Sequence, residues 1–435
     1  MGLKQGEPLS PILFVLFVND VTSNLDFNAL TETDLNQLCI NMLLFADDMV
    51  LFTSDQRSLQ AQLDSLYVYS LKWGLKININ KTKICIFRKR RQPNNYNWYI
   101  NNQLLEIVNS FCYLGITFNS NGSMTEAIKT LANQSLKAIS GLYSIFSRLK
   151  FDVKTKLMLF DRMVEPILLY CSEIWGVYDT KLIDRVHLKF CKKILGVKSQ
   201  TSNMAVLGEL GRYPLSLLCK ERVLKYWLKI MKNRDSLMYN FFNIQCNNNY
   251  PNRHMNWAPK VKTILDDLGF GNLWNNIDIN YNYFPMIRNR LRDQFKQNWH
   301  AEVTNSPKLQ YYVKYKAEFK YEPYLDIVDN DYLRKLFTCF RLSSHSLSIE
   351  TGRYTGIVRE NRICRNCNLN LIESEYHFLM TCCKYRSIRM NFLTNISWPS
   401  IHKFCYLMQS NNKKTLTSIC KYLKEAYLIR NENNN

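Results

Sequence analysis

The sequence predicts an α+β fold, and three observations carry that reading. Leu43-Leu44-Phe45 and Met49-Val50-Leu51-Phe52 are short apolar runs around Ala46-Asp47-Asp48, a spacing that predicts two buried strands joined as a hairpin. Ser58 through Trp73 repeats apolar residues every three to four positions, as an amphipathic helix does, and Leu75-Lys76-Ile77-Asn78-Ile79 then alternates as a half-buried strand. From Glu126 onward the periodicity is mostly helical, so a strand-bearing beginning is followed by a helical remainder.

Composition narrows the function classes. At 435 residues the chain is long enough for two or three domains with their own cores, and 46% hydrophobic content excludes a disordered chain. A formal net charge of +21 attracts a polyanion, nucleic acid first and an acidic membrane surface second. The longest apolar run, Ile12 to Val18, falls far short of the roughly 18 to 20 residues of a spanning helix, so no membrane partner is expected. No basic segment with a cleavage site precedes it, and Gly6 stands where a myristoylation signal needs Ser or Thr. The 14 cysteines are scattered, which reads as reduced thiols of an intracellular protein, nuclear or cytoplasmic.

In chain order, Gln5-Gly6 forms a loop where glycine lets backbone approach a ligand and glutamine offers a donor and an acceptor. Ser10-Pro11 starts a helix, Ser as cap and Pro in the first turn, which Ile12 to Val18 continues as a packed helix. Asp47 and Asp48 repel each other unless a divalent cation lies between them and a phosphate-bearing substrate; a solvated acidic turn is the alternative. Gly74 suits a helix C-cap. Arg88-Lys89-Arg90-Arg91, ahead of Gln92-Pro93-Asn94-Asn95, is either a phosphate-binding or nuclear-import run or a solvated loop. Phe111 to Phe118 is apolar and aromatic.

Helices are expected from Glu126 to about Phe146, with Ile128, Leu131, Leu136, Ile139 and Leu142 on one face, from Val153 through Met163, and from Leu217 to Met231. Lys189, Lys192, Lys193 and Lys198 add positive charge for phosphate contacts or as exposed helix lysines. Asp266-Asp267 reads as a solvated helix end. Tyr311, Tyr312, Lys314, Tyr315, Lys316, Lys320 and Tyr321 read either as base-stacking and phosphate-binding residues or as a half-buried helix with a basic face.

Four ordered motifs, LKQGEPLSP (Leu3 to Pro11), FADD (Phe45 to Asp48), LKIN followed by Lys81-Thr82, and Tyr113-Leu114-Gly115, resemble the palm of reverse transcriptases from non-LTR (LINE-like) retrotransposons. The resemblance covers about the first quarter of the chain. It implies a partial right-hand polymerase palm over residues 1–122, a helical thumb and connector over 123–213 and a helical linker over 214–350. It further implies template-directed nucleotidyl transfer by two metal ions, Mg²⁺ or Mn²⁺ held by Asp47 and Asp48, with Gln5 and Gly6 lining the nucleotide and template pocket and Lys81 near the phosphates. For Lys81 the alternative is a surface lysine. Partners so implied are an RNA template, a DNA primer or target and deoxynucleoside triphosphates; the Phe111 to Phe118 segment becomes the hairpin that grips the primer end. In that family the fingers and the palm strand with a third catalytic Asp lie upstream of LKQGEPLSP, where this sequence has only Met1 and Gly2. A truncated element copy, an internal Met taken as the start and an incomplete gene model all fit, and each implies an isolated chain without appreciable activity. A non-catalytic nucleic-acid-binding remnant and a domesticated scaffold are the other readings.

Near the far end, Cys364-x2-Cys367-x9-His377-x4-Cys382 offers two close thiolates, then an imidazole and a thiolate about one helical turn apart, the donor types of a closed tetrahedral Zn²⁺ site. The flanking Ile372-Glu373-Ser374-Glu375-Tyr376-His377-Phe378-Leu379 resembles the CCHC element behind the polymerase in many non-LTR retrotransposons, implying a structural zinc module over residues 351–400. Cys383 leaves the fourth ligand ambiguous, and a cluster of buried thiols is the alternative. Arg362, Arg365, Lys384 and Arg386 are candidates to face nucleic acid. Few large apolar residues are expected to hold the module, so metal loss should loosen the end of the chain locally, opening about residues 360–390 to protease before the rest. Residues 401–435 read as a C-terminal helix with a frayed tail from Asn431.

Overall fold

The computed structural model describes residues 7–21, 42–87, 96–246, 256–276, 279–394 and 399–432. Gln5, Gly6, Arg88 to Asn95 and the last three residues lie outside the described residues. Two compact units form, one from Met1–Ala127 with Asn233–Lys260 and one from Ile128–Lys232 with Val261–Asn435.

The first unit is α+β. Helix α1 (Ser10–Val18) has Pro in its first turn, but Leu9 rather than Ser10 is the cap residue. It is not packed as its composition suggests. Ile12, Leu13, Val15, Leu16 and Phe17 are exposed, and only Val18 is buried, because apolar residues surround this helix while the other described residues cover only its end. Strands β1 (Met42–Phe45) and β2 (Asp48–Leu51) pair antiparallel, with Phe45 opposite Asp48 and Met42 opposite Leu51. Helix α2 (Gln56–Lys72) starts where the Asp55 carboxylate accepts from the Ser58 amide at 2.9 Å, and ends before Gly74 at φ 65°. Leu75 to Ile79 is not a strand. Its residues alternate between half-buried and exposed as the pattern requires, but no ladder partner is present among the described residues, and Asn78 to Thr82 closes into a turn.

Six short strands follow among the described residues, the first five being β3 (Lys83–Cys85), β4 (Tyr99–Ile100), β5 (Gln103–Leu104), β6 (Glu106–Val108) and β7 (Ser110–Tyr113). β3 pairs parallel with β6, and β7 pairs antiparallel with β8 (Ile116–Asn119). The β7–β8 connection is Leu114-Gly115, with φ of 49° and 79°, the two left-handed residues of a type I′ hairpin turn that matches strand twist. Leu63, Ile84, Trp98, Ile100 and Leu105 form the core beside α2.

The second unit is helical. Helix α3 (Thr125–Arg148) leads into it, followed by α4 (Val153–Met163), α5 (Lys181–Leu195), α6 (Asn203–Leu210) and α7 (Leu215–Lys232). α8 (Leu237–Cys246) belongs to the first unit. After α9 (Trp257–Asp267) come α10 (Phe284–Asn305), α11 (Asp331–Arg341), α12 (Ser348–Tyr354), α13 (Arg386–Phe392), α14 (Ile401–Met408) and α15 (Lys413–Glu432). α15 therefore stays helical through Asn431. Asp266 and Asp267 are exposed at the end of α9. On α10 the Trp299 indole donates to the Met204 carbonyl at 2.9 Å and lies so close to α6 that a Cβ on Gly208 would sit 2.7 Å from the ring.

Tyr312, Tyr315 and Lys316 are buried, which excludes them from base stacking. Their polar ends enter an interior network. Arg341, fully buried, donates from Nε to Glu209 at 2.6 Å and from Nη2 to Glu322 at 3.0 Å, while Tyr312 donates to Glu209 at 3.1 Å. Truncating one partner of a buried ion pair leaves the other charge without water, at a cost of about 3–5 kcal/mol. Arg341→Met is therefore expected to lower stability by about that amount in urea unfolding, whereas Lys320→Met, at an exposed pair, should leave the unfolding midpoint essentially unchanged.

Candidate metal centres

Asp47 and Asp48 stand at the tip of the β1–β2 hairpin, Asp47 in the two-residue turn and Asp48 on β2. Ala46 holds the turn at φ 51°. Met42, Met49 and Leu51 pack beside Leu66 and Tyr69 of α2, and the Tyr69 hydroxyl donates to Asp20 at 2.6 Å. Pair register puts Phe45 and Asp48 on the face opposite that seat. The strands are only half-buried: Met42, Met49, Val50 and Leu51 are partly covered, whereas Leu43, Leu44 and Phe45 are exposed, as are both aspartates. An exposed carboxylate pair on a fixed hairpin can hold a divalent cation by oxygen ligands. Lys81 lies on a separate exposed turn, its amide donating to Asn78.

The second constellation is assembled from three local devices. Ile363 and Ile372 form an antiparallel bridge, and the Cys364 amide donates to Leu371 at 2.8 Å, closing a loop that carries Cys364 and Cys367. His377–Thr381 is one turn of π-helix, in which the Cys382 amide donates to the His377 carbonyl at 2.8 Å. That i to i+5 bond, not an α-turn, brings His377 and Cys382 to the same side. Arg389 on α13 then donates to the carbonyls of Leu379 and Cys382, both at 2.8 Å, and fixes the turn from outside.

The ligand atoms of Cys364, Cys367, His377 and Cys382 all lie within 4.8 Å of one another. Cys364 and Cys382 sulfurs are 4.0 Å apart, and Cys367 Sγ is 3.4 Å from His377 Nε2. A tetrahedral zinc shell requires about 3.8 Å between sulfurs and about 3.5 Å between sulfur and nitrogen, from its bond lengths. The donor set fits. The hydrogen bond with Cys382 draws the Cys364 thiol down to about 4, and the same contact pushes Cys382 up, so one of the pair has thiolate character. Cys383 is exposed and outside the group, which selects Cys382 as the fourth donor.

Sequence reasoning missed how the ligand-bearing segment is held. Glu373 accepts from Arg430 Nε at 2.7 Å and Nη2 at 2.9 Å; burial raises its carboxyl, but these bonds and Ser348 win and keep it below the usual range. Glu375 accepts from Ser343 at 2.6 Å and lies 2.9 Å from His345 Nε2. Phe378, Leu379, Met380 and Tyr385 are buried, and Tyr422 of α15 donates to the Phe378 carbonyl at 2.5 Å. This corrects the expectation of a loosely held module. Arg365, Lys384 and Arg386 are exposed, but Arg362 is spent on the carbonyls of Ile349 and Ile357.

Residues 1–118 match the family model described as reverse transcriptase (RNA-dependent DNA polymerase). Among curated proteins, the chain is 25% identical over 195 residues to the probable RNA-directed DNA polymerase from transposon BS of Drosophila melanogaster, covering 43% of this chain and 21% of that one. It is 20% identical over 200 residues to the RNA-directed DNA polymerase from mobile element jockey of the same organism, covering 44% and 21%. An 80-residue stretch is 38% identical to the Pol polyprotein of the type-2 retrotransposable element R2DM, covering 18% and 7%. The aligned part thus spans about a fifth of the length of the first two relatives.

Protein purified without chelator is expected to carry about one Zn²⁺ by elemental analysis, as one closed four-ligand site implies. Cys364→Ser and Cys382→Ser should lose it, and Cys383→Ser should keep it. Because α15 is bonded to the ligand segment, chelation should expose residues 413–432 to protease along with 360–390; cleavage confined to 360–390 would contradict this packing.

Proposed function

We propose, from the premise that residues 1–118 match the reverse transcriptase family and that the chain is similar to RNA-directed DNA polymerases of non-LTR retrotransposons, that this chain is part of such a polymerase. The observation that carries the reading is the carboxylate-tipped β1–β2 hairpin lying inside the matched region. In this reading residues 1–122 are palm, 123–213 thumb and connector, 214–350 a helical linker and 351–400 a structural zinc module, followed by the C-terminal helix.

The reaction is template-directed nucleotidyl transfer on an RNA template with a DNA primer or target and deoxynucleoside triphosphates. Mg²⁺ or Mn²⁺, when bound, supplies the charge that activates the primer 3′-hydroxyl and neutralises leaving pyrophosphate. Asp47 and Asp48 provide oxygen ligands at a tip whose position is fixed by the seat on α2. Gln5 and Gly6 line the nucleotide pocket, and Lys81 balances phosphate charge. Cys364, Cys367, His377 and Cys382 hold the zinc, a structural role since four donors leave no open position.

One observation favours a second reading, a non-catalytic nucleic-acid-binding remnant or scaffold. Among the described residues no third carboxylate joins Asp47 and Asp48 in a group fit for a metal ion. The isolated 435-residue chain is accordingly expected to incorporate no labelled dTTP on poly(rA)/oligo(dT) with Mg²⁺ above an Asp48→Asn background. Robust synthesis that depends on Asp48 would overturn the inactivity and support the polymerase reading directly.

Binding is expected even without synthesis. With a net charge of +21, the chain should bind RNA and DNA duplexes with little sequence preference, through phosphate contacts that release counterions. Affinity measured by filter binding should drop at least about tenfold between roughly 50 and 200 mM salt. A flat profile favours the scaffold.

A further inference from the structure

Resting on the zinc reading above, we propose that Thr381 is a positioning residue of the metal centre: its hydroxyl sets the tautomer of His377 so that Nε2 is free to ligate. Thr381 Oγ1 lies 3.0 Å from His377 Nδ1 and 3.4 Å from the His377 carbonyl oxygen. A carbonyl can only accept, and a threonine hydroxyl has one proton to give. With that proton on the carbonyl, the hydroxyl oxygen faces Nδ1 as an acceptor, and Nδ1 carries the ring proton. A neutral imidazole has only one, so Nε2 keeps its lone pair. Nε2 is the nitrogen directed at the cluster, 3.4 Å from Cys367 Sγ.

Burial makes this choice matter. His377 is 3% exposed, so bulk water is poorly placed to substitute for the hydroxyl at Nδ1. The opposite tautomer would put the proton on Nε2 among the thiols and block metal entry. The π-turn is part of the device, since within it the Thr381 hydroxyl faces both the ring and the carbonyl of His377 while the same carbonyl also receives the Cys382 amide. An imidazole whose remote nitrogen is hydrogen-bonded is also a more basic ligand, and loss of such a partner typically weakens metal binding by about 10- to 100-fold.

The test measures zinc affinity of the full chain by competition with a chromophoric chelator. Thr381→Val, which keeps the shape and removes the hydroxyl, is expected to bind about 10- to 100-fold more weakly, and Thr381→Ser to return to within about threefold of the unaltered chain. A thiolate has no tautomer, so in a His377→Cys background, a four-cysteine site, Thr381→Val should change affinity less than about twofold. That background also guards against a valine variant weakened only by poor folding, which would weaken both sites alike. Equal affinity of Thr381→Val and the unaltered chain, a serine variant as weak as valine, or an undiminished valine effect in the His377→Cys background would each overturn the assignment. An unaltered chain that takes up no zinc would instead overturn the metal centre itself, a separate outcome.

Discussion

The helical unit depends on the enclosed charge of Arg341. Its guanidinium has no solvent exposure and meets Glu209 on α6, Glu322 in the segment between α10 and α11 and the Met408 carbonyl at the end of α14, with the faces of Tyr315 and Tyr324 at 4.9 and 5.0 Å. Lys316, pairing with Glu322 at 2.5 Å, brings the group to two positive and two negative charges. Ions taken out of water are stable only when every lone pair and proton is met, so these four segments must assemble together or not at all. That constraint supplies geometric specificity that apolar packing alone would leave looser.

The same rule shapes the surroundings of the Cys364, Cys367, His377 and Cys382 cluster. Two carboxylates of this segment, Glu373 and Glu375, are buried; Arg430 of α15 pairs with the first, and Ser343 and His345 hydrogen-bond the second. Glu373, Ser374, Glu375 and His377 are all buried, so the segment is enclosed rather than laid with one face on a surface. The four clustered side chains are therefore set by packing and by charged hydrogen bonds from neighbouring elements. A closed site supported in this way is a brace within the helical unit rather than an appendage to it.

Local signals were legible and distant ones were not. The β1–β2 hairpin, the span of α4 from Val153 to Met163 and the spacing of the cysteine–histidine set could be read because turn chemistry and periodicity act over a few residues, whereas the β7–β8 hairpin was implied only by the family resemblance. Leu75 to Ile79 failed because alternation reports a half-buried chain, whereas a strand also needs a neighbour to bond. Tyr312, Tyr315 and Lys316 failed for a different reason. Their partner Arg341 is itself paired with Glu209, 132 residues away, and a pattern of Tyr and Lys cannot distinguish a basic surface from a paired interior. The π-turn was equally hidden, because His-x4-Cys fits an ordinary helical turn until its backbone bonds are known.

The hairpin tip follows the opposite economy from the interior. Adjacent aspartates repel, and a non-glycine residue in the left-handed region, as Ala46 is at φ 51°, costs of order 1 kcal/mol or more. Both terms favour straightening the turn. What opposes them is the seat of Met42, Met49 and Leu51 on α2, where each fully buried apolar side chain contributes about 1.5–3 kcal/mol and these half-buried ones proportionately less. Even discounted, three such residues outweigh the strain, so two exposed carboxylates are held at a defined place although nothing in the turn itself favours them there. Among the described residues, the buried charges of Arg341, Glu209, Glu373 and Arg430 in the helical unit are paired; the hairpin instead uses apolar packing to keep charge outside, where a cation can reach it.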